Sequence, residues 1–353
     1  MAAIQFQQLG QGSRFIGHAE LCNERKLNAL DHDMAKAFLD QLSAWEQDPN
    51  FAGLLITGTG DRAFCAGGDV KELAVRKPEE DARAQAKRGA AYFGCEYELD
   101  EKIWRCAQPT MVIAHGITMG GGMGLMQGCD FRLITETTRI AMPETAIGFF
   151  PDVGSSWFLN RVNYHMGEIL GISGMHINGA DAIALNLADY SIQNETRGNI
   201  VEALSQMTLD DTDTQTIFMR LIGQNINNNL PASNVIENLG LFEHIRRLPT
   251  LEQRYEALSQ LNGSDWLESV AKTTVKGSPL SIAITSQMLF AARFHSLKEC
   301  FELEARLGEH VVEYGDFVEG VRAVLVDKDH SPDWSFKDLA STPTDRIHQV
   351  LEG

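Results

Sequence analysis

The sequence has no excess of basic charge and no long hydrophobic run. Its 30 Lys and Arg residues are outnumbered by 48 Asp and Glu residues, which gives a formal net charge of −18. An acidic chain repels nucleic acid, so we expect no nucleic-acid partner, although a small anionic ligand needs only a local basic patch. No stretch of about 18 apolar residues is present, and we therefore expect no transmembrane helix and no membrane partner.

The cysteines lack the C-x-x-C spacing of a metal or redox motif. Residues 1–15 lack a basic start followed by an apolar core, so the sequence predicts neither a signal peptide nor an arginine-rich transit peptide. Scattered thiols in such a chain are typical of reduced cysteines, and we accordingly expect a cytoplasmic protein. The six cysteines are Cys22, Cys65, Cys95, Cys106, Cys129 and Cys300.

Several cofactor and catalytic motifs are absent. The chain has no G-x-x-x-x-G-K-[ST] phosphate loop, no H-E-x-x-H metal motif and no G-x-S-x-G nucleophile turn. After Gly122 and Gly124, Gln127 stands where a dinucleotide fingerprint has its third glycine. The ten histidines are not paired at metal-ligand spacing. These absences predict that no metal is bound.

Two glycine-rich turns are present, and each follows an apolar run. The first contains Gly67 and Gly68, and the second contains Gly120, Gly121 and Gly122. The pattern of strand, glycine turn and helix places backbone N–H groups where an anion or oxyanion can bind. Two N–H donors from separate turns are what an oxyanion hole for acyl transfer requires. A simple tight turn is the alternative for the first pair.

Two carboxylates follow prolines in apolar surroundings. Glu144 follows Pro143, Asp152 follows Pro151, and apolar residues precede both prolines. Apolar surroundings raise the pKa of a carboxyl group, which makes general acid–base chemistry possible near neutral pH. The alternative is that both carboxylates lie in turns and face water. Glu96 lies in a polar helical pattern, which by itself predicts a solvated side chain.

The order of predicted elements changes near residue 196. Up to that point apolar strand patterns alternate with helix patterns, such as the amphipathic helix predicted over residues 31–48 with Asp31 as its N-cap. Beyond it helix patterns dominate. We therefore predict an α/β core over residues 1–196, with both glycine turns and the carboxylates, and a mainly helical region over residues 197–353 that packs on it.

The two glycine turns together resemble those of the crotonase (enoyl-CoA hydratase/isomerase) superfamily. Other motifs are similar to the thioester-hydrolase branch of this family, and the similarity extends over roughly residues 14–340. The motifs of the superfamily are Leu27-Asn28-Ala29-Leu30, Ala63-Phe64-Cys65-Ala66-Gly67-Gly68-Asp69 and Gly116-Ile117-Thr118-Met119-Gly120-Gly121-Gly122. Those of the branch are Trp45-Glu46-Gln47-Asp48-Pro49, Ala141-Met142-Pro143-Glu144-Thr145-Ala146-Ile147-Gly148, Phe150-Pro151-Asp152-Val153-Gly154 and Glu319-Gly320-Val321-Arg322-Ala323-Val324-Leu325-Val326-Asp327-Lys328-Asp329.

The resemblance implies a crotonase-like α/β spiral of repeated ββα turns with an α-helical C-terminal region. It also implies an acyl-CoA thioester as substrate, so coenzyme A is part of the substrate and no separate cofactor is expected. By position, the N–H groups of Gly68 and Gly121 would form the oxyanion hole. Glu144 would be the catalytic nucleophile or base and Asp152 a second acid, while Glu96 would contact the substrate rather than face solvent.

Four further residues are expected to bind substrate. Gly67 and Asp69 flank the oxyanion donor of the first turn. Lys26 and Lys328 lie in or beside family motifs and are candidates for holding the phosphates of coenzyme A, which need cations. The alternative for each lysine is an ordinary solvated surface cation.

The residue at position 124 distinguishes hydrolysis from hydration. A hydratase of this family has a second glutamate three residues beyond the middle glycine, whereas this chain has Gly124, as the hydrolase branch does. We therefore predict thioester hydrolysis. The alternatives are an enoyl-CoA hydratase or isomerase, a noncatalytic CoA-binding protein and an RNA-binding relative. Relatives assemble into trimers and hexamers, so a homo-oligomer, whether dimer, trimer or hexamer, is a further expectation.

Overall fold

The computed structural model describes residues 3–75, 77–209 and 213–352, and the chain divides into two units. The first unit consists of residues 1–68, 98–140 and 177–233, and the second of residues 69–97, 141–176 and 234–353. The boundary predicted between residues 196 and 197 lies within the first unit. Whether residues 1–196 form a folding unit of their own stays a prediction.

Two β-sheets belong to the first unit, apart from one residue at a strand end. The strands are β1 (Ile4–Leu9), β2 (Phe15–Leu21), β3 (Phe51–Gly58), β4 (Ala63–Cys65), β5 (Thr110–Ala114), β6 (Ile117–Met119), β7 (Phe131–Ile134), β8 (Arg139–Ala141), β9 (Ile177–Asn178) and β10 (Tyr190–Ser191). One sheet has the order β1-β2-β3-β5-β7-β10, and the other has the order β4-β6-β8-β9. In the six-stranded sheet β1 pairs antiparallel with β2, and the remaining neighbours pair in parallel.

Helices cover both faces of the six-stranded sheet. On one face Trp45 of α1 (His32–Glu46) stacks on Phe51, and the side chain of Asp31 accepts the Met34 N–H at 2.9 Å, which confirms the predicted N-cap. On the other face α8 (Arg197–Gln206) and α9 (Thr214–Asn225) join the strands in one apolar cluster. Because both faces are covered, every residue of β3 is buried, as expected for a central parallel strand.

The second unit is built mainly from helices. The helices not yet given are α2 (Lys71–Ala74), α3 (Ala82–Trp104), α4 (Gly121–Gln127), α5 (Ser155–Phe158), α6 (Gly167–Ser173), α7 (Gly179–Ala184), α10 (Asn234–Glu237), α11 (Leu239–Arg246), α12 (Leu251–Ser259), α13 (Asp265–Thr274), α14 (Pro279–Ala292), α15 (Leu297–Tyr314), α16 (Phe317–Val321) and α17 (Thr344–Glu352). Within the second unit, α14 packs against α5 and α6, and α15 packs against α5 and α17. Within the described ranges no helix is long and apolar enough to cross a membrane.

Candidate active site

The two glycine turns lie side by side within the first unit. The strands that lead into them, β4 and β6, are parallel neighbours. A Cβ atom added to Gly67 would lie 3.3 Å from the Met119 carbonyl oxygen and 3.8 Å from the Gly121 nitrogen. Gly67 also has a φ of 107°, which side-chain-bearing residues rarely adopt. The turns are therefore in contact, while the oxyanion role of Gly68 and Gly121 stays a prediction.

Helix α4 begins in the second of these turns. Gly121 is its first residue, and N–H groups in the first turn of a helix have no acceptor within that helix. A Cβ atom on Gly122 would overlap the Cys65 carbonyl oxygen and lie 2.9 Å from the Cys65 Cβ, so only glycine lets the two turns approach. Every residue of α4 is buried, including Gly124. The helix can therefore offer backbone donors, and position 124 offers no side-chain carboxyl.

Three carboxyl groups singled out in the sequence are buried in the second unit. The exposed fractions of Glu144, Asp152 and Glu96 are 6%, 6% and 3%. The alternative that the first two face water is wrong, and so is the solvated position that the helical pattern alone predicted for Glu96. Oxygen Oε2 of Glu144 and Oε1 of Glu96 have no hydrogen-bond partner among the described residues. Burying a carboxyl oxygen without a hydrogen-bond partner costs free energy, and such unpaired buried polar atoms are a feature of reactive sites.

Burial raises the pKa of all three carboxyl groups. For Glu144 burial is the largest cause, and the negative charges of Asp152 and Glu96 add to it. Burial also raises the pKa of Glu96, with a further contribution from Asp152. The pKa of Asp152 is raised by burial to about 7, although a hydrogen bond from Tyr97 opposes this change. Because like charges at close range disfavour one another, the three groups are harder to ionise together than separate carboxyl groups would be.

Tyr97 contacts one of these three carboxyl groups, which the sequence did not reveal. Its hydroxyl donates a hydrogen bond of 2.7 Å to Oδ2 of Asp152, and both groups are buried. The Tyr97 ring stacks against Phe93, which in turn stacks against Phe149. The only sequence clue was its position directly after Glu96. The ring of Tyr97 is thus held by aromatic neighbours, and its hydroxyl donates a hydrogen bond that stabilises the ionised form of Asp152.

We expect Tyr97→Phe to move the acid-side limb of the pH–rate profile to higher pH. The hydroxyl stabilises the charged carboxylate, so its removal must raise the pKa of Asp152. The measurement is thioester hydrolysis across the pH range, with Tyr255→Phe as a control on a different helix. An unshifted limb would show that this hydrogen bond does not govern the ionisation that the rate depends on.

The turn that carries Glu144 is supported by the C-terminal helices. Residues Glu144–Ile147 form a 3-10 helix that ends at Gly148, whose φ is 69°. A Cβ atom on Gly148 would overlap the Asp316 carbonyl group, so the turn packs directly on that backbone. The Ser278 N–H donates to the Thr145 carbonyl at 2.9 Å. Glu144 is thus positioned by residues that follow it much later in the chain.

The remaining substrate-binding candidates have less defined surroundings. Lys26 ends a short 3-10 helix, Glu24–Lys26, and is exposed; the nearby Arg62 guanidinium donates to the Glu24 carbonyl at 2.8 Å. Lys328 is exposed and has a φ of 59°. Asp69 is half-buried. Phosphate binding by the lysines, and substrate contacts by Gly67 and Asp69, stay predictions.

No metal-binding arrangement is found in the part of the chain that the structure describes. No group of three or more His, Cys, Asp or Glu side chains there could hold a metal ion. None of the six cysteines, all of which lie in the described ranges, forms a disulfide bond.

Comparison with known proteins gives matches over nearly the whole chain. A family model described as enoyl-CoA hydratase/isomerase matches residues 16–351. The chain is 35% identical over 324 residues to a mitochondrial 3-hydroxyisobutyryl-CoA hydrolase from Gallus gallus, covering 90% of this chain and 81% of the relative. It is 35% identical over 319 residues to the Homo sapiens protein of the same name, covering 89% and 80%.

A solved structure supports the fold. The crystal structure of an enoyl-CoA hydratase from Rhodobacter sphaeroides matches with a TM-score of 0.82 and 26% identity, covering 99% of this chain and 97% of the other. The expected crotonase-like α/β fold is therefore confirmed. On its family match, its identity to these relatives and its fold, the chain belongs to the enoyl-CoA hydratase/isomerase family.

Proposed function

We propose that this protein is an acyl-CoA thioester hydrolase that converts 3-hydroxyisobutyryl-CoA and water to 3-hydroxyisobutyrate and free CoA, a reaction of valine degradation. One observation carries the choice of hydrolysis over hydration: helix α4 has Gly124 where a hydratase needs its second glutamate. Adding water across a double bond needs two placed acid–base groups, whereas cleaving a thioester needs an oxyanion hole and one nucleophile or base. The names of the relatives from chicken and human support the same choice.

Each site residue has a proposed role in this reaction. The N–H groups of Gly68 and Gly121 polarise the thioester carbonyl and stabilise the oxyanion. Glu144 then either attacks the acyl carbon or removes a proton from an attacking water, and the carbon–sulfur bond breaks to release the CoA thiolate. Asp152 assists as acid or base, and Glu96 orients the substrate. The thiolate takes up a proton, and the acyl group leaves as a carboxylate.

The two possible roles of Glu144 predict different positions, after the reaction, for the oxygen atom that comes from water. Direct attack gives a mixed anhydride, whose hydrolysis in ¹⁸O water under single-turnover conditions can place label in the Glu144 carboxyl. A general base places the label only in the product. Mass spectrometry of the peptide that contains Glu144 therefore separates the two mechanisms.

The proposed function is tested with a panel of acyl-CoA thioesters and detection of the released thiol. We expect 3-hydroxyisobutyryl-CoA to be hydrolysed fastest. A 3-hydroxypropionyl thioester lacks one methyl group, which a pocket discriminates by about 1–3 kcal/mol, or roughly 10–200-fold in kcat/KM. Crotonyl-CoA hydration without thiol release would favour a hydratase instead. Failure to turn over any thioester would favour a noncatalytic CoA-binding protein.

Location, assembly and cofactor use are also part of the proposal. Six cysteines without a disulfide bond support a reducing compartment, and we propose the cytoplasm, although the chicken and human relatives are mitochondrial by name. Fractionation of cells that produce the protein would decide between these compartments. A homo-oligomer is proposed on family resemblance, and light scattering would give its size. We propose that catalysis needs no cofactor besides the CoA of the substrate.

A further inference from the structure

A fourth buried carboxyl group of the second unit has no part in the proposed reaction. Glu304 lies on helix α15 and is 0% exposed. Burial raises its pKa to about 8; hydrogen bonds from Ser156 and Gly154 oppose that change, and the charge of Asp152 adds to it. A carboxylate is buried at this cost only where hydrogen bonds compensate for it. The side chain therefore has a definite set of partners.

These partners all belong to the turn that follows Asp152. Oxygen Oε2 of Glu304 accepts the Gly154 N–H at 2.6 Å. Oxygen Oε1 accepts the Ser156 N–H at 2.8 Å and the Ser156 hydroxyl at 2.6 Å. Helix α15 thereby holds a segment that begins two residues after Asp152. Such short bonds to a carboxylate are the strong kind.

The turn that Glu304 holds has an unfavourable backbone. Val153 has a φ of 57° and Gly154 a φ of 85°, so two successive residues are left-handed. A β-branched residue rarely adopts this conformation, and it persists only where the surroundings enforce it. The Ser155 N–H also donates to the Asp152 carbonyl at 3.0 Å, which ties the turn to Asp152 itself. The hydrogen bonds from Gly154 and Ser156 to Glu304 hold the backbone in this conformation.

We propose that Glu304 is a positioning residue that holds the turn at residues 153–156 and thereby keeps the Asp152 carboxyl at the Tyr97 hydroxyl. The inference rests on the hydrolase function proposed above and adds a residue that acts through Asp152. Glu304 lies on the same helical stripe as the buried Cys300 and Leu307. A charged residue on an apolar stripe indicates an internal partner.

Glu304→Gln tests the proposal with little change in volume. The amide keeps one acceptor oxygen, but its nitrogen cannot accept, so one backbone N–H loses its partner. Misplacing a catalytic group by about 1 Å costs roughly 10²-fold, and we expect kcat/KM to fall by about 10–100-fold. In an Asp152→Asn background the same change should cost less than about twofold, because residues that act as a unit are not additive. Equal losses in both backgrounds would refute positioning through Asp152.

The pH–rate profile of Glu304→Gln gives a second readout. It settles the question when the double variant is too slow to measure. Asp152 interacts electrostatically with Tyr97, Glu96, Glu144 and Glu304, and Glu304 interacts in the same way with Tyr97 and Cys300. If Glu304 keeps the Asp152 carboxyl at the Tyr97 hydroxyl, Glu304→Gln weakens the hydrogen bond that lowers the pKa of Asp152. The acid-side limb should therefore move to higher pH, in the same direction as for Tyr97→Phe, which loss of folded protein alone would not cause. An unshifted limb would contradict the inference.

Two control variants separate positioning from general loss of stability. Glu168→Gln removes another partly buried carboxylate of the second unit, which binds Arg254 and Ser286. It should lower the Tm without changing kcat/KM. Ser156→Ala removes one of the three bonds and should have a smaller effect than Glu304→Gln. Wild-type turnover by Glu304→Gln would reject the inference and leave the hydrolase function standing, whereas a wild-type protein that releases no thiol would reject the function itself.

Discussion

Glu144→Gln is expected to lower the turnover of 3-hydroxyisobutyryl-CoA by about 10²–10⁴-fold, the range associated with loss of a general base. The loss would be larger if Glu144 is the nucleophile, because the glutamine amide cannot form the anhydride. The carboxyl is buried and its Oε2 has no partner among the described residues, so that oxygen makes no hydrogen bond there that the folded state would lose. Thiol release under single-turnover conditions measures the effect.

The same substitution should leave the protein as stable as before or more stable at neutral pH. Burial raises the pKa of Glu144 well above its ordinary value of 4.5, so the folded state binds a proton more tightly than the unfolded state. Stability is therefore lost as the pH rises from that value through the folded pKa. Glutamine removes this loss, and the gain in Tm should be larger at pH 8 than at pH 4. Glu168→Gln is the control. If Glu144→Gln had a lower Tm than wild type and lost activity because it unfolded, the assignment of Glu144 as a catalytic residue would be contradicted.

Gly122→Ala is expected to lower kcat by about 10²–10³-fold, which is the usual effect of losing one oxyanion donor. The added methyl group would overlap the Cys65 carbonyl oxygen, and the two glycine turns must move apart to admit it. Overpacking of this kind also costs about 1–3 kcal/mol of stability. The measurement is kcat per folded molecule, with the folded fraction determined by circular dichroism.

Gly223→Ala is the matched control for that experiment. Gly223 lies on α9, and a Cβ atom there would meet nothing within 4 Å. Alanine is a better helix former than glycine by roughly 1 kcal/mol, so this variant should be as active as wild type and somewhat more stable. If Gly122→Ala also kept wild-type kcat, the turns would not need their close approach for catalysis.

Elements with a long periodic pattern could be predicted from the sequence. The amphipathic stripe of α1, the apolar run of β3 and the helices α13, α14 and α15 all have enough residues to show their period. The four-stranded sheet could not be predicted in this way. Its strands β4, β6, β8 and β9 have two or three residues each, too few to show an alternation. Helix α9 and strand β1 were also not predicted.

The site could be predicted only where resemblance or position supplied information. Proline and apolar neighbours indicated burial of Glu144 and Asp152, and the structure confirms it. Glu96 looked solvated because nothing in a helical pattern shows which side packs against other helices. Tyr97 and Glu304 make contacts with residues distant in sequence, at 2.7 Å to Asp152 and 2.6 Å to Gly154. Local pattern does not identify the distant partner in such contacts.

The support of the Glu144 turn by Ser278 and Asp316 has a consequence for biosynthesis. Synthesis proceeds from the N-terminus, so the ribosome makes the glycine turns, Glu144 and Asp152 well before the segments that hold Glu144 in place. The nascent chain therefore contains every proposed reactive group while it is still incompetent. Thioesterase activity should emerge abruptly after translation ends, and ribosome-bound or C-terminally truncated products should be silent towards cellular acyl-CoA.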